Sequence, residues 1–193
     1  IAAKWATTPE GEDVGFVTSY GASGDQSRAV ADGLEADYVH FSVPSDVTRL
    51  VDAGLVAKDW DQGDNKGVVS TSVVVFAVPK GNPDGIEDWD DLIEPGVEIV
   101  TPNPASSGAA RWNALAAWGQ VLAEGGTEAD ALDYVTKLYG NVVSLPNSGR
   151  DATTAFTSGP QTLPPTIGIT CRVPWPVGPT MSGGVMLTRS CMT

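Results

Sequence analysis

Short β-branched runs alternate with amphipathic stretches along most of the 193-residue chain. Val14-Gly15-Phe16-Val17-Thr18 reads as a strand, and Tyr38-Val39-His40-Phe41-Ser42-Val43 as a buried strand stopped by Pro44. The longest β-branched run, Val68 to Val78, reads as a central strand. Ile99-Val100 and Val142-Val143-Ser144-Leu145 are two shorter ones. Residues 1–13 read as the end of a helix (Ala2, Ala3, Trp5) and a polar turn. Ser23 caps a helix running to about Leu34, and Ser45 caps a short one with Val47, Leu50 and Val51 inside. Ile86, Trp89, Leu92 and Ile93 line another short helix. A long helix opens at Ser107-Gly108, with Trp112, Leu115, Ala116, Gly119 and Leu122 forming one buried face. Thr127 caps a helix with Leu132, Val135 and Leu138 inward, and Ser148-Gly149 opens a last helix through Phe156.

A strand, a Ser-Gly turn and a helix thus follow one another three times, at Ser23-Gly24, Ser107-Gly108 and Ser148-Gly149. Alternating strands and helices predict an α/β fold with a mainly parallel sheet. Ligands of such sheets sit beyond the carboxyl ends of the strands, where these turns lie. First-turn N–H groups lack intrahelical partners and carry the positive end of the helix dipole, so such turns suit an anion. Capping alone also explains a single Ser-Gly pair. The glycine spacings match neither a phosphate-binding P-loop nor a dinucleotide fingerprint.

A net charge of −13 makes nucleic acid a poor partner. Surface carboxylates are screened within about 10 Å, so they leave a closed cleft lined by N–H groups to its local chemistry. One His and two Cys supply no zinc site, and no cofactor or metal is expected. Asp59 to Asp64 lacks the glycine position and closing Glu of a calcium loop and reads as a turn. His40 reads as a packed or edge histidine, and the acidic group Asp88, Asp90 and Asp91 as a solvated face beside Trp89. No apolar run reaches membrane-span length, and a secretory signal, if one existed, is expected to have been removed or to lie outside this sequence. Residues 160–193 contain no Asp or Glu, hold both Cys, all three Met and six of the 14 Pro, and show no helical or strand period. A shifted reading frame or a foreign fusion beginning near Gly159 accounts for that change, and a poorly ordered tail is expected.

Five stretches together resemble the periplasmic sulfate-binding proteins of ATP-driven sulfate/thiosulfate importers. They are Ser19 to Ser27, Gly33 to Asp37, Lys80-Gly81-Asn82-Pro83 with Asp88-Trp89-Asp90-Asp91-Leu92, Pro95-Gly96-Val97, and Thr101 through Asn113. The likeness covers residues 1 to about 159. It implies a class II periplasmic-binding-protein fold with two lobes, both incomplete here. Lobe 1 spans 1–75 without its first strand and helix, lobe 2 spans 76–159, and 160–193 is an atypical tail. It also implies no enzymatic activity, a periplasmic or extracytoplasmic location, a monomer, sulfate or thiosulfate as ligand, and an ABC permease as partner. By position, Ser23 would donate a backbone N–H, Ser107 its hydroxyl, and Gly108, Ala109 and Gly149 their N–H groups. Arg111 and Arg150 stand in first turns near that ligand, either as partners of it or in surface ion pairs. Two other readings compete: a truncated, frame-altered fragment with little or no binding, and a phosphate-handling enzyme. The enzyme reading lacks a base, a metal constellation and a nucleophile arrangement.

Overall fold

The computed structural model describes residues 5–158, 166–172 and 185–186. In chain order the elements are α1 (Ser23–Ala31), α2 (Pro44–Asp52), β1 (Val73–Ala77), a 3₁₀ turn (Asp90–Ile93), β2 (Glu98–Val100), α3 (Gly108–Ala123), α4 (Glu128–Gly140), β3 (Val142–Ser144), α5 (Gly149–Ser158), β4 (Thr166–Arg172) and β5 (Val185–Met186). The sheet order is β3-β2-β4-β1-β5. β2 pairs in parallel with β3 and with β4, as strand–helix–strand units require, while β1 runs antiparallel to β4 and β5.

The core lies between this sheet and the helices that return across it. Phe76, Trp89, Leu92, Ile99, Ala117, Leu138 and Ile169 are buried together. Phe76 and Trp89 meet edge to face with ring centroids 4.8 Å apart, the arrangement favoured by the ring quadrupoles. Tyr134 buries its ring in the same cluster and donates its hydroxyl to the Trp89 carbonyl at 2.5 Å. That bond satisfies a polar group which would otherwise be costly to bury.

Local chemistry sets the helix ends. Thr127 and Asp130 form a reciprocal capping box at the start of α4, as the Thr-x-x-Asp spacing allows. α3 stops at Gly125, whose φ of +92° is open to glycine at little cost, and the Gly125 N–H donates back to the Leu122 carbonyl.

Several elements differ from the sequence-based expectation. The buried face of α3 is Gly108, Ala110, Asn113, Ala116 and Ala117, whereas Trp112, Leu115 and Leu122 are exposed. The helix turns its small side toward the sheet because Asn113 reaches in to the Ile169 carbonyl at 2.9 Å, and alanines permit that approach. In α4 the inward residues are Ala131, Tyr134 and Leu138, with Leu132 exposed. The Val68–Val78 strand shortens to Val73–Ala77, the stretch that β4 pairs residue for residue. Ser45 does not cap α2: Val43 is the cap residue, and Pro44, lacking an N–H, opens the helix. Val14–Thr18 and Tyr38–Val43 are not strands, since a strand needs a ladder partner and among the described residues they have none. Ala2 and Ala3 lie outside the described residues, and Trp5 is helical. Within the region expected to lack periodicity, Thr166–Arg172 is a strand between β2 and β1, and Val185–Met186 pairs with β1. Ile167 and Ile169 alternate there with Thr166, Gly168 and Thr170, a period-2 pattern that the surrounding prolines obscure. The rest of 160–193 lies outside the described residues.

Candidate oxyanion site

The first turns of α1, α3 and α5 converge. A methyl group placed on Gly108 would stand 2.7 Å from Ser42 Cβ and 3.3 Å from Ser23 Oγ. One placed on Gly149 would lie 3.7 Å from Ala109 Cβ. Ser23, Gly108, Ala109 and Gly149 therefore occupy one small region, with Ser107 as the cap residue of α3. Ser107 is almost wholly buried, and its hydroxyl makes no bond to the first turn of its own helix. Ser23 is the first residue of α1, and Ala22 is its cap. This corrects the expected capping role of Ser23.

Hydrogen bonds brace the three turns against one another. The Gly24 N–H donates to the Ser106 carbonyl at 2.8 Å, and the Ser106 hydroxyl donates to the Asn147 carbonyl at 2.7 Å. The Asn147 amide donates to Asp25 at 2.6 Å, which closes the ring. The Asn147 amide, with Arg28 beside it, holds the Asp25 carboxyl below its ordinary range. Beyond the ends of β2 and β3, Thr101 N–H donates to the Ser144 carbonyl and Asn103 N–H to the Pro146 carbonyl. The sheet ladder is thereby prolonged to the mouth of the site.

Behind the turns lies a buried carboxylate. Asp46 is fully buried on α2 and accepts from the Ser23 hydroxyl at 2.6 Å, from Arg111 at 2.8 Å and from Arg49 at 3.2 Å. Arg49 also donates to the Ser27 hydroxyl at 2.8 Å, and that hydroxyl donates to the Asp46 carbonyl at 2.6 Å. Burial pushes the Asp46 carboxyl up, but the Ser23 hydroxyl and the two guanidinium groups outweigh it and hold the acid below its ordinary value. Two guanidiniums against one carboxylate leave this corner locally positive in a chain whose net charge is −13.

Arg111 is thus half-buried and committed to Asp46 and the Pro104 carbonyl, while Arg150 is exposed. His40 is exposed and meets Tyr38 edge to face. Sequence inspection misses Asp46, Ser106 and Asn147, because their part depends on partners 23 to 122 residues away. The Asp46–Arg49 spacing of one helical turn was the single local sign. Trp112, expected in the core, instead donates its indole N–H to the Ser42 carbonyl at 2.7 Å and ties α3 to the segment before α2.

A partly parallel sheet crossed by helices, with the first turns of three helices gathered in one region, defines an α/β protein of the periplasmic-binding-protein class. The family model of bacterial extracellular solute-binding proteins matches residues 1–162, and the chain belongs to that family. It is 49% identical over 160 residues to the sulfate-binding protein of Synechococcus elongatus, covering 82% of this chain and 45% of the relative. It is 43% identical over 155 residues to the thiosulfate-binding protein of Pseudomonas aeruginosa, covering 79% and 47%. Among solved structures, the sulfate-binding protein SubI from Mycobacterium tuberculosis superposes with a TM-score of 0.82 at 45% identity, over 88% of this chain and 58% of that one. The chain spans about half the length of the curated relatives it matches.

Proposed function

We propose that this chain is part of a solute-binding protein that captures sulfate or thiosulfate outside the cytoplasm and hands it to an ABC permease, without chemical conversion. The anion is held by the N–H groups of Ser23, Gly108, Ala109 and Gly149 and by the Ser107 hydroxyl. The observation that carries this is the convergence of the first turns of α1, α3 and α5 on one point. The names of the relatives supply the choice of anion. Hydrogen bonds to a charged group contribute about 1.5–3 kcal/mol each, and micromolar affinity requires about 8 kcal/mol. Four or five such donors therefore suffice without any charged side chain on the ligand. The protein works as a monomer that two lobes close around the anion, and the permease receives the closed form. Isothermal titration with sulfate and with thiosulfate tests the proposal: saturable heat with one site supports it, and no heat at millimolar anion overturns it.

A further inference from the structure

Two sets of packed elements meet at the anion turns. α1 and α2 are tied to each other, by the Ser23 hydroxyl on Asp46 and by Arg49 on Ser27. The core cluster lies elsewhere: all its residues fall between Val74 and Ile169, and none is on α1 or α2. Polar bonds join the two sets. They include Gly24 to Ser106, Asn147 to Asp25, Arg111 to Asp46, and Trp112 to Ser42. The last is made by a side chain 39% exposed to solvent, so core packing does not account for its position. The Trp112 indole N–H donates to the Ser42 carbonyl at 2.7 Å. The Ser42 N–H donates to the Ser23 hydroxyl at 3.1 Å, and that hydroxyl donates to Asp46 at 2.6 Å. A chain of bonds therefore runs from the first turns of α3, through Ser42, to the first residue of α1. Gly108 stands against the same Ser42, where an added methyl would lie 2.7 Å from its Cβ.

We propose that Trp112 is a positioning residue of the anion site, which latches Ser42, and through it Ser23, against the first turn of α3 once the anion is bound. This rests on the anion reading above. Trp112 does not touch the anion; it acts through Ser42. An anion enters while the two sets of elements stand apart, before the indole bond exists. It leaves only after that bond has broken. The bond therefore slows release and leaves capture unchanged, which is where affinity within one interface is mostly set. A neutral hydrogen bond of ordinary net strength corresponds to a release rate about three- to tenfold slower. Phenylalanine at 112 keeps an aromatic ring but has no donor.

The test uses the whole chain and radiolabelled sulfate, with capture followed on rapid mixing and release followed by a chase with unlabelled sulfate. Trp112→Phe is expected to release sulfate about three- to tenfold faster and to capture it at a rate within about twofold of the wild type. Its anion-free urea midpoint should stay unchanged, because the side chain is exposed. Leu115→Ala, one helical turn on and also exposed, should alter neither rate. A second measurement needs no variant to bind: solvent exchange of the Trp112 indole N–H in the wild type should slow by about tenfold or more on saturation with sulfate. Unchanged release from a folded Trp112→Phe overturns the proposal, as does a lowered urea midpoint without faster release, which would mark a structural role only. Indole exchange indifferent to sulfate overturns it too. A wild type that binds no sulfate overturns the anion reading and this inference together, whereas normal binding with unchanged release overturns this inference alone.

Discussion

The Ser23 hydroxyl donates to the buried carboxylate of Asp46 at 2.6 Å, and the Ser42 N–H donates to the same hydroxyl at 3.1 Å. Ser23 is therefore fixed from both sides, so α1 begins where Asp46 on α2 holds it. Removing the carboxylate would leave Arg111 and Arg49 facing each other without a counter-charge. Asp46→Ala is expected to lower stability by about 3 kcal/mol. Asp46→Asn should lower it less, since an amide oxygen still accepts one of the bonds. Urea unfolding of the three proteins measures both.

The same carboxylate gives the fold an acid limit. Its folded value lies below the ordinary Asp value of about 3.9, because Ser23, Arg111 and Arg49 together outweigh burial. A depressed acid stabilises fully at pH above its unfolded value and loses that contribution as pH falls through its folded value. Unfolding free energy should therefore decline below about pH 4, and Asp46→Asn should show a shallower decline. Thermal melts from neutral pH down to pH 3 would show it.

Gly108 and Gly149 should respond differently to one added methyl. At Gly108 it meets Ser42 Cβ at 2.7 Å and Ser23 at 3.3 Å, so α1 and α3 must separate. At Gly149 the nearest atom is Ala109 Cβ at 3.7 Å, an ordinary contact. Gly108→Ala is expected to weaken sulfate binding by roughly tenfold or more, a loss of one hydrogen bond to a charged group. Gly149→Ala should leave affinity within about twofold. Calorimetric titration of the two variants distinguishes them.

Asn113 is the polar tie inside the core. Its amide donates to Thr101 Oγ1 at 3.0 Å and to the Ile169 carbonyl at 2.9 Å, linking α3 to β4. Asn113→Ala abandons a buried carbonyl and should cost about 2 kcal/mol. Asn113→Asp, ionised, would set a carboxylate against that carbonyl and should cost more, with the loss relieved at low pH. Chemical denaturation at pH 7 and pH 4 separates the two causes.

At the start of α4, Thr127→Ala removes one side of the capping box. A loss of about 1 kcal/mol is expected, and Thr127→Ser should recover most of it. Melting temperatures report the difference.

Much of the site was legible in the chain, because a helix N-terminus is a local object. Ser107-Gly108 and Ser148-Gly149 mark the starts of α3 and α5 through turn chemistry acting over a few residues. The α/β alternation and the Thr127 box likewise depend on neighbours in sequence. The burial side of α3 was not legible. Its large residues Trp112, Leu115 and Leu122 suggest one face, and the sheet takes the opposite, smaller one because Asn113 finds its acceptors there. The strand status of Val14–Thr18 and Tyr38–Val43 was not legible either, since β pattern states readiness to pair and only a neighbour makes the ladder. β4 is the converse case: a stretch without an obvious period becomes a strand because β2 and β1 flank it. The sequence by itself determined where α3, α4 and α5 begin, because their opening turns are local. Only the tertiary structure decided that Ser23, Gly108 and Gly149 come together and that Asp46, 23 residues beyond Ser23, fixes the first of them. Capping is set by bonds within one turn, whereas convergence is set by packing and pairing between segments far apart in the chain.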